Sequence, residues 1–376
     1  MTLPENLSGH AFPVHFVHPG SLDTRTGGYI YDRRVVDGLR GRGRDVRTIR
    51  LAESFPHPAP AELAEAAQAM AEIPDGAVTI VDGLAFGAMP DIAMNEAGRL
   101  SLVALVHHPL CDETGTDPVA ADALYRSERR ALLAARHIVC TSPATAARLA
   151  DFDVEASRIS VVEPGVDQAD PAPADRPDGV FRLMTVGTLI RRKGYDVLID
   201  ALARLKDLPW QLSIVGSPDR DPGTAAMIRA KLAGSGLAGR VRLAGELDTA
   251  GLEAVWAECD LFVFASHYEG YGMVIAEAVA RGLPIVSTRA GAVADTAPAE
   301  ASMLVPVGDA QALADAIGLV LSDDAVYRRL RAGALGAREG LRGWDEVASE
   351  MITVTDRAAA APAPRDDVSK LGGAGR

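Results

Sequence analysis

The sequence predicts an α/β protein built from two doubly wound halves, and three observations support this fold class. Short runs rich in Val, Ile and Leu alternate with helical patterns along the whole chain, which is typical of βαβ units and parallel sheets. The 376 residues suffice for two or three domains of about 150 residues each. One proline-rich segment interrupts the alternation near the middle. We therefore expect two Rossmann-like domains that face each other across a cleft.

The first half contains six predicted strands, each followed by a turn signal or a helical pattern. They lie at residues 13–17, 46–51, 77–81, 102–106, 137–140 and 159–162. We assign residues 10–166 to an N-terminal domain. In parallel α/β sheets, ligands bind beyond the carboxyl ends of the strands, so the loops that follow these strands should line the cleft.

The second half repeats this rhythm after a predicted linker, DQADPAPADRPDG, at residues 167–179. Its strands are predicted at residues 182–186, 211–215, 241–244, 261–265, 284–287 and 303–305, within a C-terminal domain of residues 180–343. An amphipathic helix is predicted at 344–357. The remainder, 358–376, is small, polar and rich in Pro and Gly, and is predicted to be a disordered tail.

Composition limits the classes of partner. With 38 basic and 51 acidic side chains the net charge is −13, so the molecule as a whole should repel nucleic acid and anionic membranes. Any anionic ligand must be held by a local basic or backbone-amide site. The three cysteines fit no metal or disulfide spacing, and the first ten residues lack the features of a secretory signal. We expect a cytoplasmic protein.

One segment departs from the acidic balance. Between residues 25 and 50, eight arginines face three acidic residues. On a helix this segment is a candidate for peripheral contact with the inner face of a membrane, although a solvated helix face is the more common explanation of such charge runs.

A first motif that carries chemistry follows the first strand of the second half. The strand FRLMTVG leads through TLIRRKG into the helical pattern YDVLIDALARL. A glycine turn before a helix presents free N–H groups, and Arg191, Arg192 and Lys193 add positive charge beside them. These features predict a diphosphate site, with a solvated basic loop as the open alternative.

A second and stronger motif is DLFVFASHYEGYGMVIAEAVARGLPIVSTRAG. A buried strand ends in a polar loop that carries Glu269, and Glu277 follows eight residues later inside a helix. Glycines at 270 and 272 permit a tight entry into that helix. Its first N–H groups can receive an anion while a carboxylate accepts hydrogen bonds from sugar hydroxyls. These first N–H groups of the helix belong to Gly272, Met273 and Val274.

This segment resembles the Glu-x7-Glu signature of the retaining glycosyltransferases of family 4, and the resemblance runs from Gly27 and Gly28 to the helix at Trp344. It implies the GT-B fold, in which two Rossmann-like domains face a central cleft and a C-terminal helix returns toward the N-terminal domain. It also implies transfer of a hexose from a nucleoside diphosphate sugar to an acceptor hydroxyl, with retention and with no metal or other cofactor. The N-terminal domain would bind the acceptor and the C-terminal domain the donor.

The resemblance assigns roles to the residues of these motifs. It implies that Glu277 binds the ribose and that Glu269 lies near the hydroxyls of the transferred sugar. The family usually has Arg directly after the glycine of the phosphate turn and Lys five residues later, whereas this chain has Thr188 and then Lys193. Arg192 is our choice to replace the missing guanidinium beside Lys193, and Arg191 remains the alternative.

On the N-terminal side the resemblance points to two further positions. Gly28 would reach toward the donor phosphates, and His107, with His108 as the alternate, would lie near the reacting sugar. Considered without the resemblance, paired glycines before a helix and a histidine at a strand end are more often structural.

Three other motifs are rejected, and two other functions stay open. GSGLAG at 234–239 follows a helix rather than a strand, Asp219-Arg220-Asp221 lies in a Pro-bounded loop, and His15 and His18 lie on opposite faces of a strand. The alternatives are a GT-B nucleotide-sugar epimerase and a non-catalytic nucleotide-sugar-binding protein. The sequence leaves open the donor sugar and base, the oligomeric state, and an acceptor that is a lipid, a polysaccharide or a small metabolite.

Overall fold

A computed structural model of the chain describes residues 13–173, 176 and 178–362. The first half of the described chain contains six strands and six helices. In chain order they are Val14–Pro19 (β1), Gly27–Gly41 (α1), Val46–Leu51 (β2), Pro60–Ala71 (α2), Val78–Asp82 (β3), Gly83–Phe86 (α3), Pro90–Glu96 (α4), Ser101–Val106 (β4), Pro118–Ala134 (α5), His137–Cys140 (β5), Pro143–Leu149 (α6) and Ile159–Val161 (β6).

The second half of the described chain contains another six strands and eight helices. They are Phe181–Val186 (β7), Tyr195–Leu202 (α7), Trp210–Val215 (β8), Pro222–Ser235 (α8), Val241–Gly245 (β9), Thr249–Ala257 (α9), Leu261–Phe264 (β10), Met273–Ala280 (α10), Ile285–Thr288 (β11), Val293–Thr296 (α11), Ser302–Val305 (β12), Ala310–Ser322 (α12), Asp324–Ala337 (α13) and Trp344–Ala360 (α14).

Each half forms one parallel six-stranded sheet. The strand orders are β2-β1-β3-β4-β5-β6 and β12-β11-β10-β7-β8-β9. In a doubly wound sheet the chain leaves in opposite directions at one point, and the loops on either side of that point open a crevice. These switch points lie between β1 and β3 in the first sheet and between β7 and β10 in the second. The predicted α/β class with two Rossmann-like domains is confirmed.

Hydrophobic side chains cover both faces of each sheet. One face of the first sheet is covered by α1 together with α14, whose Val347 and Met351 are fully buried beside Tyr31 of α1. A Cβ on Gly38 would lie 2.7 Å from the Cβ of Ala348, so a glycine is needed for the two helices to approach this closely. The C-terminal helix thus returns to the N-terminal domain, as the sequence resemblance implied.

The sequence-based elements agree with the structure, apart from their ends. All twelve predicted strands are present, and no strand end differs from its prediction by more than two residues. The C-terminal helix continues to Ala360, three residues beyond the predicted end. Most of the predicted disordered tail, residues 363–376, lies outside the described residues, as do residues 1–12. The predicted linker makes contacts with the second half: Ala172 is buried, and its N–H donates to the carbonyl of Arg281 at 2.9 Å.

The arginine-rich segment contributes mainly to packing. Six of its eight arginines have partners among the described residues: Arg25 with Leu247, Arg34 with Asp167, Arg40 with Val46, Arg42 with Asp345, Arg44 with Asp356 and Arg47 with Asp45. Arg42 and Arg44 directly follow α1 and pair with residues of α14, so they tie the end of α1 to that helix. These contacts account for six of the eight arginines without a membrane, and peripheral membrane contact is unsupported. Within the described ranges, every helix is too short or too polar to cross a bilayer.

Candidate active site

The switch point of the second sheet brings the two sequence motifs together. A 3-10 turn at Arg191–Lys193 follows β7, and the polar loop of the second motif follows β10. The N–H of His267 donates to the carbonyl of Arg192 at 2.7 Å. Gly194 has a φ of +61° at the start of α7, and a Cβ there would overlap the carbonyl oxygen of Ala265. The glycine therefore allows the two loops to pack directly on each other.

Two cations converge on one carboxylate between these loops. Lys193 Nζ lies 2.7 Å and Arg192 Nη1 3.3 Å from the same oxygen of Glu269, Oε1. Ser266 Oγ donates to that oxygen at 2.6 Å. We call Glu269, Arg192 and Lys193 the Glu269 cluster. Its side chains are 7%, 14% and 12% exposed, so the charges interact where water screens them little.

Burial and charge act in opposite directions on these groups. Burial alone would raise the pKa of Glu269, but Lys193 and Arg192 lower it to about 2. Burial lowers the pKa of Lys193, Glu269 raises it in part, and the positive charge of Arg192 lowers it further, so that the net shift is downward. Glu269 is therefore ionised at neutral pH, and the Glu269 cluster has one more positive than negative group.

Arg192 and Arg191 occupy different surroundings. Arg192 Nη1 donates to the carbonyl of Tyr268 at 2.8 Å, and its Nε lies 3.3 Å from Glu113 of the first half. The side chain of Arg191 instead runs past Gly115 and lines a cavity of about 210 Å³. Of the two alternatives for the missing guanidinium, Arg192 is thus the one that lies beside Lys193. Thr188 lies in the turn before them, where its carbonyl accepts from the N–H of Ile190 at 2.8 Å.

Helix α10, which follows the polar loop of the second motif, begins with free N–H groups. Its N-cap Gly272 has a φ of +90°, and no side chain caps the helix. Among the described residues, the N–H groups of Gly272, Met273 and Val274 donate to no protein atom. Glu277 lies one turn further on and is half-buried, which raises its pKa, and its carboxylate makes no hydrogen bond within the described chain. Free N–H groups at a helix start favour an anion.

At the switch point of the first sheet, His107 follows β4 and meets two buried carboxylates. Its Nε2 lies 3.0 Å from Asp32 Oδ1 and 3.4 Å from Asp82 Oδ2. Asp32 projects from α1 and is fully buried, while Asp82 ends β3 and caps α3 by accepting from the N–H of Leu84 at 2.9 Å. We call these three residues the His107 cluster. Burial alone would lower the pKa of His107, but the two carboxylates together raise it.

The structure shows what surrounds the predicted Gly28 and His108. A Cβ on Gly28 would lie 3.2 Å from His107 Cδ2, so this glycine makes room for the imidazole. His108 lies 3.2 Å from Glu113 and its ring centroid is 5.9 Å from that of Tyr268. His108 therefore belongs to the contact between the two halves, together with Glu113 and Arg192.

The two clusters face each other where the sheets meet. A Cβ on Gly270 would overlap the carbonyl oxygen of His107, and a Cβ on Gly27 would lie 3.7 Å from Met273 Sδ. The start of α1 thus lies opposite the start of α10, and neither helix has a side-chain cap. A site between them combines the cations of the second half with the imidazole and carboxylates of the first.

The His107 cluster was only partly found by sequence reasoning, which missed Asp32 and Asp82. The available signal was the spacing of Gly28 and Asp32, which places them on one face of a helix. By atom type and spacing, the three side chains could hold a metal ion, since their ligand atoms lie within 4.8 Å of one another. The 3.0 Å contact of Nε2 with Asp32 is a hydrogen bond, however, and a proton accounts for it.

The rejected motifs have structural roles. Gly236 of GSGLAG ends α8 with a φ of +73°, so this run of glycines does not begin a helix. Asp221 caps α8 by accepting from the N–H of Thr224 at 2.9 Å. His15 and His18 are both buried, and burial lowers their pKa values.

Comparison with known proteins connects both halves to one class of enzyme. Residues 9–170 match the family model described as Glycosyltransferase Family 4, and residues 180–323 match the model described as Glycosyl transferases group 1. A lipopolysaccharide core biosynthesis glycosyltransferase, LpsE of Rhizobium meliloti, is 34% identical over 51% of this chain and 56% of its own. A D-inositol 3-phosphate glycosyltransferase of Jonesia denitrificans is 30% identical over 55% and 53%. The chain thus spans about half the length of these curated relatives.

Solved structures agree on the fold. Sucrose-phosphate synthase from Thermosynechococcus elongatus superposes with a TM-score of 0.76 at 22% identity, covering 92% of this chain and 98% of that one. HepE of Anabaena in complex with UDP-glucose gives 0.72 at 16%, covering 91% and 99%. With two parallel sheets and two matched family models, the chain belongs to the glycosyltransferases of the family 4 type and has their GT-B fold.

Proposed function

We propose that the chain transfers a hexose from a nucleoside diphosphate sugar to an acceptor hydroxyl, with retention of configuration and without a metal. The observation that carries this proposal is the convergence of Lys193 and Arg192 on Glu269, beside the uncapped start of α10 and opposite His107.

Positive charge in the Glu269 cluster supports a diphosphate at this place. The cluster has two cations and one carboxylate, and three free N–H groups of α10 lie at the end of the same loop. The positive end of the helix dipole adds to their field. On a chain of net charge −13, such a site is what an anionic donor requires.

Two carboxylates remain available for hydroxyl groups. Glu277 has no partner for its carboxylate among the described residues and fits the ribose role. Glu269 uses Oε1 for Lys193, Arg192 and Ser266, whereas Oε2 makes no hydrogen bond to the described chain. Carboxyl oxygens of this kind accept hydrogen bonds from sugar hydroxyls.

The proposed step follows from these charges. The bond between the anomeric carbon and the diphosphate oxygen breaks, and the electron pair leaves with the diphosphate. The acceptor oxygen forms its bond to the same face of that carbon, and its proton passes to the leaving phosphate. Lys193, Arg192 and the N–H groups of α10 stabilise the developing negative charge, as preorganised donors do in other group transfers. Contact between the two halves excludes water that would hydrolyse the donor.

Incubating the full chain with nucleotide sugars and acceptors tests this proposal. UDP-glucose is the first donor to use because it is bound to the similarly folded HepE. An inositol phosphate and a lipopolysaccharide core oligosaccharide are the first acceptors, after the names of the relatives. We expect a new glycoside whose anomeric NMR signal matches the donor configuration, with the same rate in EDTA. An inverted product would refute retention, an epimerised donor without acceptor would indicate an epimerase, and binding without turnover would indicate a binding protein.

The ribose assignment has its own test. We expect Glu277→Ala to weaken binding of the nucleoside diphosphate by about tenfold, since hydrogen bonds to a charged acceptor contribute about 1.5–3 kcal/mol. Calorimetric titration measures this directly. Glu300→Ala is the matched control, because Glu300 is an exposed glutamate of the same half, away from the site. Equal affinities for Glu277→Ala and the unmodified chain would refute the assignment.

A further inference from the structure

We propose that Asp32 is a positioning residue that fixes the imidazole of His107 through Nε2 and leaves Nδ1 to face the substrate. This inference rests on the proposed function for its kinetic consequence, but its structural part concerns the protein alone.

The contacts of the ring define its orientation. Nε2 hydrogen-bonds to Asp32 at 3.0 Å. The Cδ2 edge of the ring packs on Gly28. The ring centroid lies 5.5 Å from that of Tyr31, and the two ring planes meet at 85° in an edge-to-face contact. All three contacts come from α1. The opposite edge, which carries Nδ1, has no hydrogen-bond partner among the described residues, so it is the part of the ring left for a ligand.

Burial argues against a purely packing role for Asp32. The residue is fully buried in α1 beside Val35, Val36 and Tyr31, and its second oxygen, Oδ2, has no partner in the described chain. A buried carboxylate is unfavourable unless it is paired, and an apolar side chain would fill the same position without that penalty. The hydrogen bond to His107 is what the carboxylate provides that an apolar residue cannot.

Asp82 has a different role from Asp32 within the same cluster. One of its oxygens caps α3 at 2.9 Å, and the other lies 3.4 Å from His107 Nε2. Asp82 is thus held by the helix that it caps, and it adds negative charge near the ring. Asp32 is the closer of the two, and His107 is its hydrogen-bond partner. Together the two carboxylates favour the imidazolium, in which Nε2–H donates to Asp32 and Nδ1–H is a donor toward the substrate.

Nitrogen NMR of the ring tests the structural part without any substrate. In the unmodified full chain at pH 7 we expect a proton on Nε2 and a second proton on Nδ1 of His107. In Asp32→Asn we expect the ring to carry only one proton. Asp37→Asn is the matched control, an exposed aspartate on the same helix, and it should leave the ring signals unchanged. A ring in the unmodified chain with no proton on Nε2 would overturn the proposal, and so would identical ring signals in Asp32→Asn.

Kinetics test the consequence for transfer. We expect Asp32→Asn to lower kcat by roughly 100-fold, since small misplacements of a catalytic group have effects of this size, while the donor KM changes less than threefold. Asp32→Glu, which restores a carboxylate, should recover part of kcat. A loss confined to KM, or equal kcat in Asp32→Asn and Asp37→Asn, would overturn the proposal. If the unmodified chain transfers no sugar, the proposed function fails, yet the ring nitrogens still decide whether Asp32 fixes His107. If Asp32→Asn does not fold, the ring protons of the unmodified chain still decide that point.

Discussion

The Glu269 cluster and the His107 cluster contain the same kinds of group in opposite proportion. The first has one carboxylate between two cations, and the second has one imidazole between two carboxylates. Both lie at a switch point of a parallel sheet, and both are largely buried. Topology therefore gives the two halves equivalent positions, while the balance of side-chain charge differs. Under the proposed function the first cluster would bind the diphosphate and the second would lie near the transferred sugar.

Some helices near the two clusters also differ at their starts. In the second half, α7 and α10 begin at glycines with positive φ, and no side chain caps them. In the first half, α3 is capped by Asp82 and α6 by Ser142. The caps satisfy N–H groups that would otherwise receive an anion. The first N–H groups of α7 and α10 are not satisfied by such caps, which suits these helix starts to an anion.

The largest effect should come from removing a cation of the Glu269 cluster. We expect Lys193→Ala to lower kcat/KM by roughly 100- to 1,000-fold, because one preorganised donor typically contributes about 2.7–4 kcal/mol to the transition state. Initial rates of transfer measure the change. Lys231→Ala is the matched control, since Lys231 pairs with Asp200 on the surface of the same half. Full turnover in Lys193→Ala would remove the diphosphate assignment and with it the comparison.

The two clusters should change the free energy of unfolding with pH in opposite directions. The pKa of Glu269 is lowered to about 2, so its contribution to the free energy of unfolding is complete above its ordinary value of 4.5 and is lost as pH falls toward 2. That contribution is on the order of 3 kcal/mol. Asp32 has a raised pKa because it is buried, so its contribution is complete below its ordinary value and is lost as pH rises through the raised one.

Chemical denaturation of variants from pH 3 to pH 8 measures both signs. Glu269→Gln should be less stable than the unmodified chain at pH 7. The difference should shrink as pH falls below about 4.5, because Glu269 takes up a proton in the unfolded chain while it stays ionised in the folded one. For Asp32→Asn, the free energy of unfolding relative to that of the unmodified chain should instead be highest near pH 8. If the relative stabilities of both variants changed with pH in the same direction, the opposite charge balance of the clusters would be contradicted.

The two adjacent arginines provide a smaller and sharper comparison. We expect Arg192→Gln to lower kcat/KM by about tenfold, because a hydrogen bond to a charged group contributes about 1.5–3 kcal/mol and Lys193 remains. Arg191→Gln should stay within twofold, since Arg191 lies beside Gly115 rather than Glu269. Initial rates of transfer, measured in parallel for the two variants, decide which arginine contributes. A larger loss in Arg191→Gln would show that the other arginine replaces the missing guanidinium.

The smallest effect concerns the contact between the halves. Glu113 lies 3.3 Å from Arg192 and is 41% exposed, and partly exposed pairs contribute about 0.2–1 kcal/mol. We expect Glu113→Gln to raise the donor KM two- to fivefold, through looser placement of Arg192. A double-mutant cycle with Arg192→Gln measures the coupling. Additive effects of the two substitutions would show that Glu113 does not act through Arg192.

The same contrast explains what the sequence could predict. The Glu269 cluster comes from two local motifs, each with its own glycine turn, and its residues were found from spacing and charge. The His107 cluster joins residues 75 positions apart in the case of Asp32 and His107, and only the folded sheet brings them together. The strands were predictable because apolar runs of fixed length mark them locally. Which arginine turns toward Lys193 depends on contacts with Tyr268 and Glu113, so spacing alone could not decide it.

Calorimetric titration with UDP, GDP and ADP tests most directly the claim that Lys193 of the second half holds the donor diphosphate and that Asp32 of the first half does not. We expect at least one of them to bind the unmodified chain. We further expect Lys193→Ala to weaken this binding by about tenfold or more, and Asp32→Asn to leave it within threefold. Equal losses in the two variants, or undiminished binding in Lys193→Ala, would contradict the assignment of the diphosphate to Lys193.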